Sequence, residues 1–178
     1  MILKRKREGI FMVRLRPFKR QDAEKILPWI CEERVMAMWC AGVFSYPLTV
    51  EQLTDRMEQS ESKADEWVMA GIDEQGEVIG HLYMWPDYQN DSLHLGMIVV
   101  DHTRRGQGLG RQMVEKAAAY AFDILEVSQV TLGVFDSNPR ARACYQSAGF
   151  VVNYTEEHAF VYHGESWDRI HMIRRRES

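Results

Sequence analysis

A chain of 178 residues, 46% hydrophobic and 27% charged, is long enough to bury a core and is composed like a soluble globular domain. Its formal net charge of -4 argues against a nucleic-acid binder, which carries a basic surface, and no apolar run approaches the roughly 20 residues that cross a bilayer. Cys31, Cys40 and Cys144 have no metal-ligand spacing and are odd in number, so a reducing, cytoplasmic setting is expected.

In chain order, "MILKRKREGIF" carries a basic Lys4–Arg7 cluster with no apolar stretch after it, unlike a signal peptide. Residues 1–11 read as a flexible basic extension, with Met12 as an alternative start and 12–178 as one domain. "MVRLRPF" (Met12–Phe18) alternates apolar and polar residues and predicts a strand. "KRQDAEKILPWICEERVMAMWC" predicts one helix or two, interrupted at Pro28. Thr49 is the expected N-cap of "VEQLTDRMEQ", with Gln52 completing a capping box. "EWVMAGI", the turn "DEQGE" and "VIGHLYMW" predict a hairpin, and "DSLHLGMIVV" a central strand with a buried end.

The helix expected in "LGRQMVEKAAAYAFDIL" has Leu109, Met113, Ala117, Ala121 and Leu125 on one core-facing stripe. "SQVTLGVF" predicts a strand and "NPRARACYQSAG" a short helix stopped by Gly149. "FVVNYTEEHAFV" and the end of "HGESWDRIHMIRR" supply the last strands. Hairpins come first, then a strand-loop-helix-strand-helix-strand unit, which implies a mixed sheet covered by helices in the α/β or α+β class.

"VVDHTRRGQGLG" (99–110) sits between a strand and a helix. Free backbone N–H groups and the helix dipole make that junction an anion site. Glycine permits positive φ and close approach, and Arg105 offers a charge that matches phosphate geometry. Gly106, Gly108 and Gly110 run G-x-G-x-G, which is not the dinucleotide G-x-G-x-x-G. Gly110 is followed by Arg111 and Gln112, not by the Lys-Ser/Thr of a nucleotide P-loop. A plain strand-to-helix turn is the competing reading.

Arg105, Gly108 and Gly110 match Gln/Arg-x-x-Gly-x-Gly/Ala. About 30 residues on, Asn138, Ala141, Tyr145, Gly149 and Phe150 match Asn-x-x-Ala-x-x-x-Tyr-x-x-x-Gly-Phe. On these two motifs the chain resembles the GNAT superfamily of acetyl-coenzyme A-dependent N-acetyltransferases. "ILPWICEE" and "YPLTVEQL" are loosely similar to its ribosomal-protein branch. The resemblance implies a single domain with a mixed, mostly antiparallel sheet of about seven strands, whose central strands splay to hold the cofactor.

It also implies roles. Ile98, Val99 and Val100 would bond the pantetheine amides through their backbone. Arg105, Gly106, Gln107, Gly108, Leu109, Gly110 and Arg111 would wrap the pyrophosphate. Ala141 would lie beside the cofactor, and Asn138 would contact the pantetheine arm or cap its own helix. Tyr145 would hydrogen-bond the departing thiolate, its alternative being a core ring. Many family members carry a glutamate on the strand before the glycine loop. His94 stands there instead, as the candidate base or as a structural histidine. The carbonyl oxygen would meet a main-chain N–H of the central strand.

The expected reaction is direct attack of a primary amine, from a protein N-terminus, an amino acid or a small amine, on the thioester of acetyl-coenzyme A. At pH 7.4 about 0.1% of a free lysine side chain is neutral, against roughly a quarter of a free α-amine, so the need for a base depends on the acceptor. Trp29, Trp39 and Trp85 would line the acceptor pocket or pack in the core. His158, His163 and His171 are irregularly spaced, and no metal is expected. The expected partners are acetyl-coenzyme A and the amine, with neither nucleic acid nor membrane, in a monomer or homodimer. The alternative is an inactive module of the same fold that binds coenzyme A or a partner.

Overall fold

The computed structural model describes residues 12–177. The basic segment expected at residues 1–11 lies outside them. Seven strands form one sheet: β1 (Arg14–Pro17), β2 (Trp67–Ile72), β3 (Val78–Asp87), β4 (Ser92–Val100), β5 (Gln129–Phe135), β6 (Val151–Tyr162) and β7 (Glu165–Arg175), in the spatial order β1-β2-β3-β4-β5-β7-β6. Neighbours pair antiparallel except β4 and β5, which run parallel. That parallel pair needs a crossover helix, supplied by α4 (Leu109–Asp123). The mixed, mostly antiparallel sheet is the one expected.

Two cores flank it. On one face α4 and α5 (Pro139–Ser147) bury Met113, Ala117, Ala121, Tyr145 and Phe150 against Leu82, Leu93, Leu95 and Leu132. On the other, α1 (Ala23–Ile26), α2 (Glu33–Cys40) and α3 (Val50–Glu61) bury Ile26, Met36 and Leu53 against Tyr83, Met97 and Val99. Gly80 brings α4 close to the sheet: a Cβ there would stand 2.3 Å from Met113 Sδ and 3.0 Å from the Val99 carbonyl.

Pro28 does interrupt the first helical region. A 3-10 turn over Leu27–Trp29 follows α1, and α2 starts afresh at Glu33. Buried Asp22 anchors this segment, accepting both Arg16 guanidinium nitrogens at 2.6 and 2.9 Å and the Lys19 N–H at 2.8 Å. The capping box at Thr49 is only half formed. Thr49 Oγ1 accepts from Gln52 N at 3.2 Å, but the Gln52 amide turns to Ser45 and Pro47 and braces the preceding loop instead.

The sheet opens at its centre. β4 and β5 pair from Ser92–Gln129 to Leu95–Leu132, and then each strand runs on without the other. Pairing of β4 with β3 slips at the same place, with Tyr83 opposite Gly96 and His81 opposite Val99. Met97 takes a left-handed φ of 45° there. This bulge reverses the alternation of β4. Leu93 and Leu95 point to the α4 face, whereas Met97 and Val99 point to the α1–α3 face.

Candidate active site

The diverging ends of β4 and β5 leave a cleft of about 530 Å³. Gly96–Val100 form one side and Gly133 and Val134 the other; α4 presents its N-terminal end, and α5 lines the cleft along its length from Asn138 to Ser147. Beyond Leu95–Leu132 no strand among the described residues satisfies the facing backbone groups of β4 and β5. Polar backbone there must find another partner, and the amides of an extended ligand are of the right chemistry to supply one.

The glycine loop closes the base. Gly106 and Gly108 adopt left-handed φ of 82° and 74°, a conformation that favours glycine. Gly108 caps α4, and the Gln112 N–H makes the bond onto its carbonyl at 3.0 Å. The N–H groups of Leu109, Gly110 and Arg111 precede that bond at the positive end of a 15-residue helix. Four arginines border the cleft: Arg104, Arg105, Arg111 and Arg140. Arg104 is oriented by Asp73, whose carboxylate lies 2.7 Å away. Burial alone would raise the Asp73 pKa, but Arg104 and the backbone N–H groups of Glu77 and Gln75 lower it. Such a base suits a bulky polyanion.

Of the cofactor residues expected from sequence, only Gln107 stands away from the cleft. The other twelve line it. Asn138 is the N-cap of α5, its Oδ1 accepting from Ala141 N at 3.1 Å; the same side chain borders the cleft, so its amide nitrogen is the group left for a ligand. Tyr145 is 7% exposed, packed in the α4–α5 core and still in contact with the cleft. Burial, then the neighbouring Cys144, raises its pKa above that of a free phenol, so the hydroxyl keeps its proton.

The structure does not bring His94 to Tyr145. His94 lies between Leu93 and Leu95, on the opposite face of β4 and outside the cleft. Its Nδ1 is 2.9 Å from Thr131 Oγ1, and its ring lies 5.8 Å from that of Trp85. Burial first, then His171 and Arg169, lowers its pKa to about 4. Trp29 is a core residue, and Trp85 stacks on Tyr83 at 5.3 Å; of the three tryptophans only Trp39 lines the cleft. Among the described residues no group of three or more His, Cys, Asp or Glu could hold a metal, and no helix is long and apolar enough to cross a membrane.

Sequence reasoning missed Arg104, Arg140 and the α2 wall formed by Val35, Met38 and Trp39. Arg140 had a signal, lying two residues after Asn138 on the same first turn; the α2 wall had none. That wall is clamped to the β6–β7 hairpin. Arg34 Nη1 lies 2.9 and 2.8 Å from the two Glu165 oxygens, and its guanidinium stacks over Trp167 and Tyr162. Glu33 Oε2 is 3.3 Å from His163 Nε2. Glu32, Glu33 and Glu165 are all exposed here, giving this rim several carboxylates.

The acetyltransferase (GNAT) family model matches residues 24–150. The spermine/spermidine N(1)-acetyltransferase of Bacillus subtilis (strain 168) is 26% identical over 89 residues, covering 47% of this chain and 59% of the relative. A probable spermine N(1)-acetyltransferase of Bacillus subtilis subsp. natto matches with the same identity and coverage. The match thus spans 59% of the length of these curated relatives. Among solved structures, spermidine N-acetyltransferase from Vibrio cholerae in complex with CoA and spermine superposes with a TM-score of 0.80 at 22% identity, covering 92% of this chain and 95% of that one.

Proposed function

The chain belongs to the acetyltransferase (GNAT) family, and on that premise we propose that it transfers an acetyl group from acetyl-coenzyme A to a primary amine of a linear polyamine. The observation that carries the cofactor half is the splayed β4–β5 cleft above a glycine loop bordered by four arginines. The acceptor half is supported by the activities named for the relatives.

In this reading the cofactor's pyrophosphate sits on the loop N–H groups and arginines, and its pantetheine amides bond the free edge of β4. The neutral amine attacks the thioester carbonyl, whose oxygen is met by a main-chain N–H of β4. The C–S bond then breaks and the thiolate leaves against the Tyr145 hydroxyl. The ammonium proton passes to solvent. His94 is ill suited to take it: a base of pKa about 4 lies roughly 9 kcal/mol below a free alkylamine in proton affinity.

The test is turnover. Thiol release from acetyl-coenzyme A should be seen with spermidine and spermine and be slower with amino acids and peptide N-termini. Millimolar coenzyme A should raise the melting temperature by preferential binding to the native state, and adenosine much less. A shift without turnover on any amine would favour the binding module; no shift at all would remove both readings.

Two substitutions probe the loop. Arg105→Ala removes a charge-assisted contact, and coenzyme A affinity should fall by about 10- to 150-fold. At Gly108 a Cβ would meet nothing within 4 Å, so Gly108→Val acts through backbone strain of roughly 1–2 kcal/mol and by crowding the phosphate. Calorimetric titration that finds parent-like affinity in both folded variants would reduce the loop to a turn.

A further inference from the structure

On β3, opposite the bulge, stands a histidine that the proposed chemistry does not use. His81 is fully buried, enclosed by Phe18, Trp39 and Tyr83 with ring centroids 5.0, 6.0 and 5.2 Å away. Its Nδ1 lies 3.4 Å from the Met97 carbonyl. A carbonyl only accepts, so Nδ1 carries the proton and Nε2 is a bare acceptor. Among the described residues Nε2 is buried without a partner, and so is the indole N–H of Trp39 in the same cluster. These two orphans have opposite polarity, one accepting and one donating, and a buried polar group is costly unless paired. His81 thus faces both walls of the cleft: the backbone of β4 and, through Trp39, helix α2.

Met97 is where the backbone needs holding. A left-handed φ on a side chain other than glycine persists only when its surroundings impose it, and this one starts the segment Ile98–Val100 that lines the cleft. We propose that His81 is a positioning residue which, through the Met97 carbonyl, holds the kink of β4 and so presents the backbone of Ile98–Val100 to the cofactor. The inference rests on the cleft being the coenzyme A site, but its structural part can be measured without any ligand.

His81→Phe keeps the edge-to-face ring packing and loses the Nδ1 donor, whereas His81→Asn restores an amide N–H near the same place. In the ligand-free protein, amide exchange at Ile98, Val99 and Val100 should quicken in the Phe variant while Ser92–Leu95 of the same strand stays slow, and Asn should reverse it. Coenzyme A affinity should fall by about 3- to 10-fold in the Phe variant, the range of one ordinary hydrogen bond, and recover with Asn. Uniform or absent exchange changes in a folded Phe variant would overturn the proposal. Should that variant fail to fold, imidazole ¹⁵N shifts of the parent decide: a protonated Nδ1 and bare Nε2 near neutral pH support it, and the other tautomer refutes it. A parent that does not bind coenzyme A sinks the functional reading and leaves the exchange result to judge the kink.

Discussion

Tyr145→Phe is expected to lower kcat by about 10²–10⁴-fold, the range for a positioned proton donor, with coenzyme A affinity changed less than about twofold. The ring fills the α4–α5 core beside Ala148 and Phe150, and phenylalanine keeps that packing. What disappears is the hydroxyl at the cleft. Because burial raises the Tyr145 pKa, the gap to a free thiol exceeds the roughly 2 kcal/mol that separates an ordinary phenol from one. In the proposed mechanism the hydroxyl therefore donates a hydrogen bond to the forming thiolate and does not surrender its proton. That bond strengthens as charge builds on sulfur, so its loss falls on the transition state and hence on kcat. Steady-state kinetics with the best polyamine, paired with calorimetric affinity, checks this; a variant as fast as the parent would assign Tyr145 to the core alone.

The parts of this site that sequence disclosed are those where one residue type is compelled by local geometry. Gly106 and Gly108 announce left-handed backbone, Asn138-Pro139 announces a helix start, and the four-residue recurrence from Leu109 to Ala121 announces a buried helical face. The parts it hid are set by tertiary contact. Met97 takes a positive φ without being glycine, so nothing in "LHLGMIVV" marks the bulge that carries Met97 and Val99 to the opposite face from Leu93 and Leu95. The α2 wall depends on Arg34 reaching Glu165, 131 residues away. From sequence alone His94 is a candidate base, or a structural histidine, because it stands on the strand before the glycine loop. Its position three residues before the bulge puts it on the far face from Tyr145, a distinction that no spacing rule could make.

Lowering the pH from 7 to 5 is expected to remove about 2 kcal/mol of folding stability for each of His81 and His94. Burial holds both neutral, with pKa values of about 4 against an ordinary 6.5. Below pH 6.5 the unfolded chain takes up a proton at each site and the folded chain does not. Stability is therefore intact above 6.5 and falls as the pH drops toward 4, at up to about 1.4 kcal/mol per pH unit per histidine. The lowered carboxylates Glu66 and Asp73 lose their contribution later, below the ordinary carboxylate range, so they do not disturb the window between pH 7 and 5. Urea unfolding across that window measures the slope, and His81→Asn, which cannot protonate, should shed about half of it. A stability that stays flat from pH 7 to 5 would mean that the buried imidazoles find proton acceptors on folding. In that case His81 Nε2 could not be the bare acceptor on which its place between β4 and α2 depends.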